Sequence, residues 1–518
     1  MDLKKLLQGI SFSWIRFALT IGIGIIQTPL LFNNLNKEEL NFWYIFYSFG
    51  AFLQMADLGL VQTISRLIAY IDNSNALSKS EGSIKNLASY SIKQIYITAL
   101  FSFFTILVLA GVGVFIIYLT VYYEKTNIFN LKIAFLIYVI GIIFNLLSNV
   151  PASMLIGYRE VGTDSIIRSI AQIIYFAILL IFLPYYHSIV LVSLSFMLQN
   201  LGQLVTLHFA FYVKHRNIFK NENHWKELVK FNIAKQIYSQ SAPLVINQLG
   251  GWLISQGNIF IVSIVVGADK VSDYAINQQI FTYIAAIALV MNQSIGPFIA
   301  KSYIQNKLSG LQDLFVNTIL ICLSMVGVLI IIQLSCGKNI ITLWIGPEHF
   351  LGYTLSAIFG ITTFLEVQHS VAGNFVWNTG SWPFNKWTLW AGMLTVILGY
   401  FLGNYYGLIG IALATLVSKL MTLNWYVLYF GLKRVGLTLK DYTRRIFSPL
   451  FLSLILTLSL VLYVENQTSG KEFSNIVIIL LLSCLSSGVF LLFIGIFCRK
   501  ILMKIYSTVI LPRLKHRL

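Results

Sequence analysis

The sequence predicts an all-α, polytopic membrane protein with about 14 transmembrane helices. Of its 518 residues, 57% are hydrophobic and only 11% are charged, which is too little charge to cover the surface of a soluble protein of this length. Apolar runs of about 17 to 25 residues recur along the chain, and a helix of that length crosses about 30 Å of hydrocarbon. The runs are continuously apolar and do not alternate with polar residues, which indicates helices rather than strands.

The transmembrane spans follow from the positions of the apolar runs. The first six are predicted at residues 9–32, 40–64, 95–121, 130–155, 163–184 and 188–213. The next six are predicted at residues 238–266, 274–299, 314–336, 352–376, 387–405 and 407–431, and the last two at 446–464 and 476–497. Only the turn at residues 404–407 separates the eleventh and twelfth spans, which predicts a tight helical hairpin.

The distribution of basic residues predicts the orientation of the spans. The chain has 36 Lys and Arg residues and a formal net charge of +17. Most of them, including Arg159, Arg168 and the cluster at 214–235, are assigned to the termini and to every second loop, which places both termini in the cytoplasm. Because these basic segments are short, nucleic-acid binding is not expected. The four cysteines have no paired spacing, so neither a metal site nor a disulfide framework is indicated, and no cofactor is expected.

Similar features recur along the chain at an offset of roughly 220 to 235 residues. Basic connectors begin at Lys214 and Lys433, and polar, glycine-containing turns lie at 157–159 and 379–381. Two similar bundles of this kind would enclose a central cavity. Chance similarity among loops is the alternative. The repeat predicts a six-helix bundle at 1–213, a basic cytoplasmic connector at 214–237, a second six-helix bundle at 238–432, and helices 13 and 14 with a basic cytoplasmic tail at 433–518.

Several short motifs resemble those of a known family. They are Phe-Trp-Tyr at 42–44, Met-Ala-Asp-Leu-Gly-Leu at 55–60, Ser-Arg at 65–66, Gly-Tyr-Arg at 157–159 and Leu-Trp-Ile-Gly at 343–346. This pattern is similar to that of the polysaccharide transporters and O-antigen flippases of the multidrug/oligosaccharidyl-lipid/polysaccharide exporter superfamily. The resemblance implies a carrier that moves an undecaprenyl-diphosphate-linked oligosaccharide across the bacterial cytoplasmic (inner) membrane by alternating access. It also implies a glycan polymerase and a chain-length regulator as partners.

Two other classes of function remain as alternatives. A cation-coupled multidrug exporter of the same superfamily would share the fold, but acidic cavity residues would suit lipophilic cations better than the basic ones found here. A membrane glycan polymerase or ligase would need chemistry in its periplasmic loops, where the acidic residues of this chain are dispersed without a catalytic grouping. No glycine-rich phosphate loop is present, which argues against ATP as the direct energy source.

Polar residues form stripes on the first and seventh spans, which occupy equivalent positions in the two predicted bundles. Hydroxyls and amides suit sugar hydroxyls, and an arginine suits a diphosphate through paired hydrogen bonds. The alternative is that the stripes join helices to one another by interhelical hydrogen bonds. The residues predicted to bind substrate are Arg16, Thr20 and Gln27 on the first span, and Gln240, Asn247, Gln248 and Ser255 on the seventh.

Three charged residues lie inside apolar spans, where a charge needs a partner or an aqueous cavity. Arg16 lies roughly 10 Å from the cytoplasmic end of its span, so diphosphate contact and snorkelling to the interface are both open. Glu366 and Lys419 lie about 18 to 21 Å deep at matching depth, which permits an ion pair. Lys419 is predicted to contact substrate, and Glu366 with His369 to take up a coupling proton or cation. A static ion pair is the alternative.

Two features are predicted at the cytoplasmic interface. Asp57 and Arg66 lie at the end of the second span, where they would form a cytoplasmic gate or a simple interfacial cap. The connector at 214–237 mixes lysines with Trp225 and Phe231, a composition typical of an interfacial helix on anionic membrane lipids.

Overall fold

The computed structural model describes residues 3–57, 60–71, 90–122, 129–219, 229–305, 308–380, 383–451, 454–455 and 458–459. The regular elements in these ranges are helices, and no strand occurs among them, so the predicted all-α fold is confirmed. Seven helical segments are long and apolar enough to cross a membrane, and the bent pair Val245–Ser255 and Gly257–Val266 makes an eighth among the residues described. The protein is therefore a multi-pass membrane protein.

The total of 14 spans stays a prediction. The predicted span at 476–497 and most of that at 446–464 lie outside the described residues. The long apolar segment Asn385–Val435 contains the eleventh and twelfth predicted spans. These two spans are joined at Gly407, where the backbone leaves the helical conformation.

Contacts within the chain divide it into two compact units, Met1–Ser272 and Asp273–Leu518. The described helices of the first unit are α1 (Leu3–Asn34), α2 (Lys37–Gln54), α3 (Leu60–Ile71), α4 (Ile92–Tyr122), α5 (Phe129–Leu147), α6 (Asn149–Gly157), α7 (Val161–Tyr186), α8 (Ile189–Lys214), α9 (Phe231–Ser255) and α10 (Gly257–Ile261). A π-helical turn, Val262–Val266, continues α10. Helices α9 and α10 contact α2, α3 and α4, which is why the first unit extends to Ser272.

Aromatic side chains fill the core where α2, α4 and α5 meet. Phe46, Tyr118 and Phe135 are fully buried. The ring of Phe135 lies 4.0 Å from that of Tyr118 and 4.9 Å from that of Phe46, measured between centroids. Rings in contact at these separations add about 0.5 to 1.5 kcal/mol each beyond the burial of their area. This core fixes the first unit around α5.

The predicted second span, 40–64, is not one continuous helix. Helix α2 ends at Gln54, a 3-10 turn occupies Met55–Asp57, and α3 begins at Leu60. The carboxylate of Asp57 accepts a hydrogen bond from the Asn149 amide at this break, at 3.5 Å. A count of apolar residues cannot reveal the break, because the residues on both sides of it are apolar.

The second unit begins within the first turn of α11. Its described helices are α11 (Val271–Ser294), α12 (Gly296–Ile304), α13 (Leu308–Trp344), α14 (Tyr353–Asn378), α15 (Asn385–Met421), α16 (Leu423–Val435) and α17 (Leu439–Tyr442). Helix α13 is longer than the predicted span at 314–336, because the helix continues past the most apolar stretch at both ends. Helices α13, α15 and α16 contact α14, which places α14 at the centre of this unit.

Left-handed turns occur at matching positions in the two units. Arg159 (φ 64°) ends the turn after α6, and Gly380 (φ 87°) ends the turn after α14. His187 (φ 42°) and Gly407 (φ 58°) each follow a Tyr-Tyr pair that closes a helix. The two residues of each pair, Arg159 with Gly380 and His187 with Gly407, lie about 220 residues apart in the sequence, which matches the offset of the predicted internal repeat.

Candidate functional site

The polar stripe of α1 lies against α7. The Thr20 hydroxyl donates to Gln172 Oε1 at 3.0 Å, and the Gln27 amide donates to the Tyr175 hydroxyl at 2.9 Å. Thr20 and Gln27, both predicted to bind substrate, thus make the interhelical hydrogen bonds that were the alternative for this stripe. Thr20 also remains exposed, so its hydroxyl is accessible beside α7.

Arg16 is the charged member of this stripe. Its Nη1 atom lies 3.3 Å from Asp164 Oδ2 in the first turn of α7. The Arg16 side chain is 39% exposed, whereas that of Asp164 is 7% exposed. A guanidinium has five N–H donors, and among the described residues this single long contact occupies one of them. Arg16 therefore presents a cation with spare donors at the surface of the first unit.

Asp164 is shared with a second arginine. Arg168 Nε donates to Asp164 Oδ1 at 2.7 Å, one helical turn along α7. The other guanidinium nitrogens of Arg168 donate to Asn149 Oδ1 at 2.9 Å and to Gln203 Oε1 at 3.4 Å. Its side chain is 10% exposed. The charge distribution predicts a cytoplasmic loop position for Arg168. The structure places it in α7, where it is buried and each of its three guanidinium nitrogens donates to an acceptor.

The cluster continues from Arg168 to the break between α2 and α3. Asn149 accepts from Arg168 through its oxygen and donates to Asp57 through its nitrogen. Asp57, predicted as a gate or cap, is thus tied to α6 at the break. The side chains of Arg66 and Gln240, which were predicted as a gate or cap and as a substrate contact, lie outside the described part of the structure.

Three further predicted substrate contacts lie on α9. The side-chain oxygens of Asn247 and Gln248 are buried and have no hydrogen-bond partner among the described residues. The Ser255 hydroxyl is exposed and donates to the Gly251 carbonyl at 2.9 Å. The two amide oxygens are therefore acceptors that the described part of the chain leaves unused.

The ion pair that matching depth permitted is present in the second unit. Lys419 Nζ, on α15, lies 2.6 Å from Glu366 Oε2, on α14. The Lys419 side chain is 9% exposed and that of Glu366 is 37% exposed. His369 lies one turn from Glu366 on α14, and its buried Nδ1 has no hydrogen-bond partner among the described residues. Glu366 is consequently the accessible member of the pair, and Lys419 the buried one.

A column of polar side chains extends from Glu366 along α14. The Ser370 hydroxyl donates to Glu366 Oε1 at 3.4 Å, and the Asn378 amide donates to Asn374 Oδ1 at 2.7 Å. Between them, Asn292 of α11 donates to the Ser370 carbonyl and accepts from Asn374 at 3.0 Å. The four residues on α14 recur every fourth position, a period that could have identified this face from the sequence.

The first unit carries an uncharged counterpart of the ion pair. Asn145 on α5 donates to Asn200 Oδ1 on α8 at 2.8 Å. Asn145 precedes Glu366, and Asn200 precedes Lys419, by about 220 residues, the offset of the predicted internal repeat. The same helix contact is therefore made by two amides in one unit and by two opposite charges in the other. Sequence reasoning missed this match because it followed charges only.

No group of three or more His, Cys, Asp or Glu residues that could hold a metal ion occurs among the residues described. Asp164 is instead paired with Arg16 and Arg168 in the first unit, and Glu366 is paired with Lys419 in the second. Chemically, the arrangement offers a partly neutralised arginine in the first unit and a separable carboxylate–ammonium pair in the second.

No family model and no curated protein sequence matches the chain. Solved structures do match its fold. The lipid II flippase MurJ, in an inward closed conformation, is 16% identical with a TM-score of 0.65, and the match covers 95% of this chain and 100% of that one. An inward-facing multidrug resistance MATE family transporter of the MOP superfamily is 12% identical with a TM-score of 0.61, covering 83% of this chain and 98% of that one.

A third match is a MOP superfamily transporter from Pyrococcus furiosus, whose binding pocket is described as having reverse polarity. It is 10% identical with a TM-score of 0.59, and the match covers 84% of this chain and 96% of that one. At these identities the similarity concerns the fold. The chain has the helical fold seen in these solved structures, which include a lipid II flippase and a multidrug resistance MATE family transporter.

Proposed function

We propose that the chain is a flippase that translocates an undecaprenyl-diphosphate-linked oligosaccharide across the bacterial cytoplasmic membrane by alternating access, with both termini in the cytoplasm. The observation that carries the proposal is the partly exposed Arg16 within an apolar, membrane-spanning helix. A charge in such a helix costs several kcal/mol unless a partner or an aqueous cavity compensates it. Asp164 compensates only in part, because it is also bound by Arg168. A diphosphate would complete the neutralisation through paired hydrogen bonds.

The extent of the structural matches supports the same choice. The lipid II flippase structure covers 95% of the chain, whereas the MATE transporter structure covers 83%. The protein matched there is named as a flippase of a lipid, lipid II. The hydroxyls of the exposed residues Thr20 and Ser255 are suited to sugar hydroxyls. So are the amide oxygens of Asn247 and Gln248, which accept no hydrogen bond within the described part of the chain.

Ion coupling is assigned to the Glu366–Lys419 pair. The amide pair Asn145–Asn200 holds the equivalent helices of the first unit together without charge. The charges of the second unit are therefore not required for this helix contact, which favours a functional role over a static one. Uptake of a proton or cation by Glu366, with His369 one turn away, would weaken its hold on Lys419 and free the ammonium for an anionic cargo. If Glu366→Gln retains full gradient-dependent flipping in vesicles, this coupling role is wrong.

The partners follow from the cargo. Undecaprenyl-diphosphate-linked glycan is the substrate, and a glycan polymerase and a chain-length regulator would act on it after translocation. Anionic lipids would contact the basic connector at 214–237, of which residues 220–228 lie outside the described ranges.

A multidrug exporter is the second candidate, because MATE transporters share the fold. Conditional depletion of the protein separates the two functions. We expect lipid-linked glycan to accumulate on the cytoplasmic leaflet and to be cleared when the wild type is restored, but not when Arg16→Gln is restored. Lys338→Gln removes the same charge at an exposed position of α13 and is the matched control, expected to restore export fully. Unchanged glycan with increased dye sensitivity would instead establish drug export.

A further inference from the structure

We propose that Asp164 is an internal counter-anion: it pairs with Arg16 in the absence of cargo, and an incoming phosphate-bearing anion replaces it as the partner of Arg16. The inference depends on the proposed function only for the identity of the natural anion. It gives roles to Asp164 and Arg168, neither of which belongs to the predicted substrate site.

The two contacts of Asp164 differ in strength. Its contact with Arg168 is 2.7 Å, within the usual range for a hydrogen bond between charged groups, whereas its contact with Arg16 is 3.3 Å. Arg168 is buried and Arg16 is 39% exposed, so the second contact is the more accessible of the two to an incoming anion. An anion that binds Arg16 therefore replaces the weaker of two contacts, and Asp164 keeps its stronger partner.

Asp164 keeps favourable contacts after the exchange. It lies in the first turn of α7, where the helix dipole favours a negative charge. Arg168 is held in turn by Asn149 and Gln203, so it keeps the carboxylate in place. Arg168 is thus a positioning residue that retains Asp164 beside the cargo site.

The backbone around Arg16 does not need to move for this exchange. On either side of it, Ser13 contacts Ser165 at 3.2 Å and Thr20 donates to Gln172 at 3.0 Å, which holds α1 against α7. Only the Arg16 side chain has to turn away from Asp164. The arrangement would release cargo easily, because Asp164 competes with the bound anion for Arg16 at every moment.

The test is binding of inorganic pyrophosphate to the purified full-length protein in phospholipid-free detergent micelles, measured by titration calorimetry. Asp164→Asn removes the competitor, so we expect binding about fivefold tighter than in the wild type. Arg16→Gln is expected to abolish binding. Glu160→Gln is the matched control: it changes the charge equally beside the same helix end, but Glu160 pairs with Lys214 at 2.9 Å, so affinity should not change.

A double variant separates competition from net charge and from misfolding. Asp164→Asn with Arg168→Gln leaves the net charge of the protein unchanged and leaves no unpaired buried charge at this position. We expect it to bind pyrophosphate more tightly than the wild type, because Arg16 is free. If both Asp164 variants bind no more tightly than the wild type, or if Arg16→Gln retains binding, the exchange does not occur.

A second series identifies the source of the anion. Phosphatidylglycerol is added to the micelles as a competitor, and we expect pyrophosphate to remain bound, since a phosphodiester carries one charge where the diphosphate carries more. Equal competition would overturn the diphosphate assignment and give the site to lipid headgroups. These binding measurements require no transport. Failure of the exchange is therefore distinguishable from failure of the flippase proposal, which the depletion experiment detects.

Discussion

Replacing the Glu366–Lys419 pair by two asparagines tests whether its charges serve function rather than packing. The double substitution Glu366→Asn with Lys419→Asn copies the amide pair that Asn145 and Asn200 form at the equivalent position of the first unit. The structure therefore supplies both the perturbation and the reason to expect that it is tolerated. Each single substitution, by contrast, leaves one charge without its partner.

The magnitudes follow from the exposure of the two side chains. Glu366→Asn leaves the Lys419 ammonium, 9% exposed, without a carboxylate, at a cost of about 3 kcal/mol. Lys419→Asn leaves Glu366, which is 37% exposed and keeps part of its solvation, so the cost is about 1 kcal/mol. The double variant should lie within about 1 kcal/mol of the wild type, because no unpaired charge remains. The coupling between the two positions is then about 4 kcal/mol.

The assay has two parts. Thermal unfolding in detergent, followed by tryptophan fluorescence, should rank Glu366→Asn lowest, Lys419→Asn next and the double variant close to the wild type. Flipping of lipid-linked oligosaccharide in vesicles should lose its dependence on an imposed ion gradient in the double variant. A double variant as unstable as the two single changes combined would show that the charges serve packing. Retained gradient dependence would show that they do not couple.

Three further outcomes are expected. Arg16→Lys keeps the charge but loses the planar fork that binds a diphosphate, so flipping should fall about tenfold, measured as initial rate, and an unchanged rate would argue for snorkelling. Gly157→Ala should lower the free energy of unfolding by about 1 to 3 kcal/mol, because a Cβ there would lie 2.6 Å from Ile68 Cβ. Gly113→Ala is the control: a Cβ at Gly113 would have no atom within 4 Å, so this variant should not be destabilised. Gly407→Ala should cost about 1 to 3 kcal/mol in the same unfolding assay, since its backbone has φ 58° and ψ −137°, and equal stability would contradict the strain argument.

The predicted site residues differ in how well their surroundings could be anticipated. Glu366 and Lys419 could be matched because depth in a membrane follows from the number of residues to the helix end, a local quantity. Thr20 and Gln27 could be placed on one face of α1 by helical period, but their partners Gln172 and Tyr175 could not be named. Helical period defines a face and leaves open which helix covers it.

The sequence by itself determined the class of the protein, its helical content and the register that brings Glu366 and Lys419 together. These properties depend on composition and spacing along short windows of chain, as in the apolar runs and the Glu366–Lys419 register. The tertiary structure decided what each charge meets. It brought Asp164 between Arg16 and Arg168, broke the second span at Asp57, and matched the ion pair with Asn145 and Asn200. Such contacts join helices far apart in the chain, and they arise only when the helices pack.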